Sequence, residues 1–126
     1  MNSELLRRLS YCETDIDGAI PRLSGNVTLY KHCLNAFLQD TTIQELNEAI
    51  QTQAWDDAFT AAHALKGLAG NMGFVPLFHA TGELVVLIRN GKMKEIGQSN
   101  QRLQSIYNEV CSAIRQGIRE NESAGR

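Results

Sequence analysis

The chain has 126 residues and a formal net charge of -2, with 12 Lys and Arg against 14 Asp and Glu. That length suits a single domain, and the near balance of charge excludes an overall attraction to nucleic acid or anionic lipid. No apolar run approaches the roughly 20 residues that span a bilayer, and the first residues do not have the pattern of a signal peptide. The three cysteines are far apart in the sequence and predict no disulfide framework. We therefore expect a small cytoplasmic domain.

Apolar residues recur at intervals of three and four along the chain, which predicts amphipathic helices. The predicted helical segments are 4–11, 15–23, 27–40, 43–50, 55–72, 76–89 and 94–119. Because the connections between the longer segments are short, the pattern predicts an all-α fold, an antiparallel four-helix bundle preceded by short additional N-terminal helices. We expect one domain over 1–119, with its core at about 15–118, and a flexible C-terminal tail at 120–126.

Four local signals define where these helices begin or break. Asn26 is predicted to cap the helix that follows it. The apolar stripe before Thr41 and the stripe after it point in different directions, so we expect a break at Thr41 and Thr42. Thr42 and Glu45 have the spacing of a capping box for the restart. Pro76 is expected at the first helical position after a turn at 73–75.

Segment 55–72 has two faces of different character. The face predicted to be buried carries small and aliphatic side chains, namely Ala54, Ala58, Ala61, Leu65, Leu68 and Met72. The opposite face carries Asp56, Phe59, Thr60, His63, Lys66, Gly67 and Gly70. Each glycine inside a helix costs about 1 kcal/mol relative to alanine, so Gly67 and Gly70 indicate that another body approaches closely, either a partner or a neighbouring helix. Phe59 and Thr60 are expected to be exposed and to join that partner surface.

His63 and Lys66 are one helical turn apart on this face. A free imidazole is mostly neutral at pH 7, so a ring nitrogen can act as a nucleophile. An ammonium group one turn away can stabilise the negative charge of a transferred phosphoryl group. The pattern therefore predicts a phospho-accepting histidine, although spacing alone also fits an ordinary polar surface residue.

The stretch from His63 to Gly73 resembles the signature of the histidine-containing phosphotransfer (HPt) domain, which reads His-x-x-Lys-Gly with a further glycine ten residues after the histidine. The resemblance extends to other segments in the same order. These are Asp15 to Leu23 with Gly25-Asn26, Phe37 to Asp40, Ala54 to Asp56, Leu84, and Arg89 to Gly91.

The resemblance implies a phosphocarrier without its own ATP-binding kinase domain. His63 would be the phospho-acceptor, Lys66 would stabilise the phosphoryl charge, and Gly67 would be the small residue that allows access. Phe59, Thr60 and Gly70 are candidate docking residues from their position on the same face. The implied partners are receiver domains of response regulators or of a hybrid sensor kinase. We expect a monomer without a cofactor of its own, since Mg2+ would be held by the receiver. A module with the same fold that docks a receiver or another partner without carrying phosphate is the alternative.

One position departs from the family's pattern. The family often carries Gln or Glu directly after the leucine at position 84, where a polar side chain can reach the histidine region, and this sequence has Val85. His79 and Glu83, one turn apart on the outward side of that helix, are possible supporting residues for the imidazole. A solvated polar stripe fits the same two residues.

Other arrangements of reactive residues favour no additional site. His32, Cys33, His79 and Cys12 lack metal-ligand spacing, so no metal site is predicted. Cys33 and Cys111 lie next to apolar stripes and are predicted to be inert buried thiols. No glycine-rich motif has the form of a nucleotide-binding loop, and no constellation indicates hydrolysis.

Overall fold

The computed structural model describes residues 3–22 and 25–124. The helices within them are α1 Ser3–Tyr11, α2 Ile16–Arg22, α3 Val27–Gln39, α4 Thr42–Gln51, α5 Trp55–Met72, α6 Val75–Arg89 and α7 Met93–Ala124. No strand forms among the described residues; an isolated bridge pairs Thr14 with Phe74. None of these helices combines the length and the apolar character that crossing a membrane requires. The predicted all-α bundle is confirmed.

The bundle is organised around α5, which packs between α4 and α6, while α6 and α1 both pack on α7. The largest fully buried side chains come from every long element of the bundle, namely Tyr30, Phe37, Phe74, Leu5, Leu9, Leu34, Leu46, Leu65, Leu77, Leu84, Ile96 and Leu103. Leu5 and Leu9 belong to α1, so the first helix is part of the core. Burial of this apolar surface provides the main driving force for folding.

The predicted break between α3 and α4 is confirmed, but the predicted capping box is wrong. Thr42 lies inside α4, and the N-cap residue is Thr41, whose side chain makes no capping hydrogen bond. The carboxylate of Asp40 instead accepts a hydrogen bond from the Thr42 amide at 2.8 Å. Asp40 therefore stabilises the start of α4, as a carboxylate at a helix N-terminus is expected to do. Asn26 caps α3 as predicted, because its side-chain oxygen accepts from the Leu29 amide at 2.9 Å.

The turn between α5 and α6 is held by the N-terminal segment. Gly73 ends α5 in the left-handed conformation, at φ 79°, and a methyl group there would collide with the backbone carbonyl of Asp15. The Asp15 amide donates to the Gly73 carbonyl at 2.6 Å. The buried Tyr30 hydroxyl donates to the Met72 carbonyl at 2.9 Å. Glycine is therefore required at position 73 both by its backbone angle and by this close approach. Helix α6 begins at Val75, so Pro76 is its second residue rather than its first.

Helix α7 ends later than predicted. It continues to Ala124, whereas the sequence pattern indicated an end at Arg119. Residues 120–124 contain neither glycine nor proline, the two residues that oppose a helix most strongly. The flexibility assigned to 120–126 stays a prediction, and residues 125–126 lie outside the described part, as do 1–2 and the predicted helix end and turn residues at 23–24.

Candidate functional site

The two predicted faces of α5 are present in the fold. The buried side chains of this helix are Ala58, Ala61, Ala62, Leu65, Ala69 and Met72. Leu68 and Ala54, which were predicted to be buried, are half-buried at the edge of this face. The opposite face includes His63, which is exposed to solvent. Amphipathic spacing alone therefore determines that the imidazole points outward.

The His63 ring is free of polar partners within the described residues. Neither of its nitrogens forms a hydrogen bond or an ion pair there. Its ring contact is with Phe59, one turn earlier on α5, at 6.1 Å between centroids. The lone pair of a neutral imidazole is consequently available to an incoming group.

Phe59 is less exposed than predicted. Its side chain is half-buried and packs against the hydrophobic core. The guanidinium carbon of Arg89 lies 5.5 Å from the centroid of the same ring. The aromatic ring is thus engaged with α5 and α6 of its own chain, because its helical position turns it toward the α6 side of the exposed face rather than straight into solvent.

Lys66 is half-buried at the seam between α5 and α6. Its Nζ atom lies 5.3 Å from the centroid of the Phe78 ring. Its stem passes Gly82, where a methyl group would stand 3.4 Å from Cε of the lysine. The aromatic face attracts the ammonium group, and the missing side chain at position 82 leaves space for the stem.

Three facing pairs define the register of α5 against α6. With the α5 member first, they are Phe59 with Arg89, Lys66 with Gly82 and Gly70 with Phe78. The two members of each pair are equally distant in sequence from Phe74, as expected for antiparallel helices joined by a short turn. The same register places Val85 opposite His63. Val85 is only 4% exposed and has no polar atom on its side chain, so α6 offers no hydrogen bond to the imidazole at the position where the HPt pattern often has Gln or Glu.

The two helical glycines of the exposed face have different surroundings. A methyl group on Gly67 would meet no atom within 4 Å, so this position opens to solvent. A methyl group on Gly70 would stand 3.2 Å from the Phe78 ring. The group that approaches Gly70 therefore belongs to the neighbouring helix α6 and not to a partner protein. This is the second of the two explanations that the sequence offers for a glycine inside this helix. Thr60 is exposed as predicted, and its hydroxyl donates to the Asp56 carbonyl at 3.0 Å.

A comparison with protein families agrees with this arrangement. The family model described as Hpt domain matches residues 34–116. The chain belongs to the Hpt domain family. The match includes the entire stretch from His63 to Gly73 and the helix that faces it, and the family has a phosphotransfer role in phosphorelays. Comparisons with curated proteins and with solved structures gave no match.

The predicted supporting residues of this Hpt domain do not contact His63. Glu83 forms an exposed ion pair with Arg102 of α7, with 3.6 Å between nitrogen and oxygen. His79 is exposed, and its ring lies edge-on to Phe78 at 5.7 Å. Glu83 is therefore directed toward α7, and His79 lies against the Phe78 ring. Each residue has a partner other than the imidazole of His63.

Arg89 belongs to a segment that resembles the HPt pattern, but the sequence analysis assigns it no role at the site. Its contact with Phe59 follows from the equal spacing of both residues from Phe74. That spacing is visible in the sequence once a tight turn at 73–75 is expected. The contact between Arg89 and Phe59 can be predicted only by pairing residues of α5 with residues of α6 across the turn, and not from the spacing along one helix.

The thiols of this Hpt domain differ in burial. Cys111 is buried, and burial raises the pKa of its thiol, although the neighbouring Tyr107 and Arg115 act in the opposite direction. Burial, followed by the charge of Glu109, also raises the pKa of Cys12. Cys33 is half-buried rather than buried, because it lies at the rim of a groove between α3 and α5. Among the residues that the structure describes, no group of three His, Cys, Asp or Glu side chains is arranged to hold a metal ion.

Proposed function

We propose that this protein is a histidine phosphocarrier in a multistep phosphorelay. It would accept a phosphoryl group on His63 from the aspartate of one receiver domain and pass it to another. The observation that carries the proposal is a combination on one helix: an exposed imidazole with no polar partner among the described residues, a lysine ammonium one turn away and an open Gly67.

The proposed transfer does not require a base to remove a proton from His63 before the attack. An unprotonated ring nitrogen of His63 attacks phosphorus, a nitrogen–phosphorus bond forms, and the bond between phosphorus and the aspartyl oxygen breaks. The carboxylate of the receiver leaves with the electron pair. Lys66 would leave the Phe78 ring, 5.3 Å away, and neutralise charge on the phosphoryl oxygens. The receiver would supply Mg2+, and this chain would supply position and one positive charge.

The same proposal includes the setting of the protein. As a carrier it would receive phosphate only from a partner and would not phosphorylate itself with ATP. We propose that it acts in the cytoplasm. We also propose that it acts as a monomer, which leaves the exposed face of α5 open to a receiver in both the accepting and the donating step. Gly67 and Thr60, both exposed, would lie in that contact.

The experiment is a phosphotransfer profile against the receiver domains of the source organism. Each receiver is labelled on its aspartate, mixed with the protein, and the protein is then examined for acid-labile label. The proposal predicts rapid labelling from a small subset of receivers and onward transfer to a second one. A protein that binds those receivers but takes no label, while a control Hpt domain is labelled, would contradict it.

The second candidate is a docking module that binds a receiver without carrying phosphate. The specific observation in its favour is Val85, which leaves His63 without a hydrogen-bonding partner on α6. This candidate predicts that His63→Gln leaves receiver binding and the downstream output unchanged. The carrier proposal predicts that binding is retained and the output is lost.

A further inference from the structure

We infer that Phe59, held by Arg89, is a positioning residue that orients the His63 imidazole for phosphoryl transfer. This inference rests on the proposed function, because it concerns the same site. In this chain α6 offers His63 no hydrogen bond, because Val85 faces it. The inference is that the aromatic ring of Phe59 orients the imidazole instead.

The first support is the geometry of the two rings. The centroids of Phe59 and His63 are 6.1 Å apart and the ring planes are tilted by 32°. This separation lies within the range in which aromatic rings attract each other. The residues are one turn apart on α5, so the contact forms along the helix surface and does not depend on a distant loop.

The second support is that Phe59 is itself fixed. Its side chain packs against the core, and its ring is contacted by the Arg89 guanidinium at 5.5 Å. Arg89 comes from the last turn of α6, so the contact joins the two helices at the level of the site. A ring held between the core and a cation has little freedom to rotate, and it therefore restricts the rotamers open to His63.

The third support is that the described part of the chain offers His63 no hydrogen bond or ion pair that could orient it. Within the described residues, no polar atom pairs with His63, and the opposite position is occupied by Val85. An exposed imidazole without restraint samples several rotamers, of which only some direct a nitrogen at an incoming phosphorus. A misplaced attacking atom slows a transfer strongly even when binding is intact.

Positioning and docking make different kinetic predictions for Phe59. A docking residue changes the receiver concentration that gives half the maximal transfer rate. A positioning residue lowers the rate at saturating receiver and leaves the half-saturating concentration unchanged. A small donor such as phosphoramidate can approach the nitrogen in any rotamer, so its rate does not depend on Phe59.

The experiment compares the wild type with Phe59→Leu, Phe59→Tyr and Arg89→Leu. The donor is the labelled receiver that phosphorylates the wild type fastest, and phosphoramidate serves as the second donor. We expect Phe59→Leu to lower the saturating rate roughly tenfold or more with an unchanged half-saturating concentration. Phe59→Tyr keeps the ring and should retain the wild-type rate, and Arg89→Leu should lower it by a smaller factor. Nuclear Overhauser contacts between the rings of Phe59 and His63 should be present in the wild type.

Several results would overturn the inference. If Phe59→Leu changes the half-saturating receiver concentration but not the saturating rate, Phe59 is a docking residue. If Phe59→Leu lowers the rate with phosphoramidate as much as the rate with the receiver, Phe59 affects the reactivity of the imidazole and not its orientation. If Phe59→Leu does not fold by circular dichroism, a wild-type rate in the exposed variant Arg89→Leu still overturns it. A wild type that no receiver labels contradicts the proposed function itself, whereas a labelled wild type with an unaffected Phe59→Leu contradicts only this inference.

Discussion

The ring of Phe78 on α6 lies against Gly70 on α5, so a methyl group added to Gly70 would stand 3.2 Å from it. This contact distinguishes Gly70 from Gly67, although the two glycines look equivalent in the sequence. Gly70 lets α6 approach α5, and Gly67, one turn closer to His63, leaves the surface open. The site therefore has one glycine that serves packing and one that can serve a partner.

We expect the substitutions Gly67→Leu and Gly70→Leu to have opposite consequences. Gly67→Leu adds a side chain in open space, so folding is retained and stability is gained by up to about 1 kcal/mol from helix propensity, while transfer from a receiver is blocked. Gly70→Leu forces the Phe78 ring aside and lowers stability by about 1–3 kcal/mol. Thermal unfolding and receiver-dependent labelling of the two proteins provide the measurement. Normal labelling of Gly67→Leu would show that no partner approaches this position.

Lys66 is expected to affect the rate of transfer and not the fold. Removal of a positive charge that faces a developing negative charge typically costs on the order of 100-fold in rate. We therefore expect Lys66→Gln to slow labelling by about that factor, with unchanged receiver binding. Lys94→Gln, at an exposed position near the start of α7, is the matched control and should be labelled normally. Equal rates for the two variants would remove Lys66 from the mechanism.

Leu5 of α1 packs closely on Gly117 of α7, where the first helix meets the last. A methyl group on Gly117 would stand 2.5 Å from Leu5 Cδ1 and 3.0 Å from its Cα atom. Gly117→Ala should therefore push α1 away and destabilise the protein by about 1–3 kcal/mol. Gly97, on the same helix, has no atom within 4 Å of such a methyl group, so Gly97→Ala should stabilise by up to about 1 kcal/mol. Urea unfolding measures both, and a stabilised Gly117→Ala would contradict the packing of α1.

Stability should fall at alkaline pH because the folded protein holds the buried thiol of Cys111 and the half-buried thiol of Cys12 protonated. Burial raises the pKa of Cys111 and Cys12 above their usual value, so folding favours the protonated thiol. This contribution is complete below the unfolded pKa of about 8.5 and is lost as the pH rises through the higher folded values. Burial raises the pKa of Tyr107 as well, which extends the decline to higher pH.

Urea midpoints measured under reducing conditions at neutral pH and near pH 10 test this linkage. One such group can contribute at most about 1.4 kcal/mol per pH unit. Cys111→Ala should show a smaller decline than the wild type. A midpoint that rises with pH, or an identical decline in Cys111→Ala, would contradict the expectation.

The helices and the outward direction of His63 could be predicted because they depend on local spacing. The break at Thr41 follows from the different directions of the apolar stripes on either side of it, and the turn at Gly73 follows from the residues of the turn itself. The surroundings of Gly70 could not be predicted from α5 alone, since they depend on which residue of α6 faces it. The pairing of Glu83 with Arg102 depends in turn on how α7 packs, and that information is not contained in either helix by itself.

The most direct measurement is the position of the acid-labile phosphoryl group after incubation with the receiver that labels the wild type. The chain has three histidines, so His63→Gln can be compared with His32→Gln and His79→Gln, both of which change exposed residues. The proposed carrier role predicts that His63→Gln takes no label and that the other two variants are labelled at the wild-type rate. Label persisting in His63→Gln, or a wild type that no receiver labels, would contradict it.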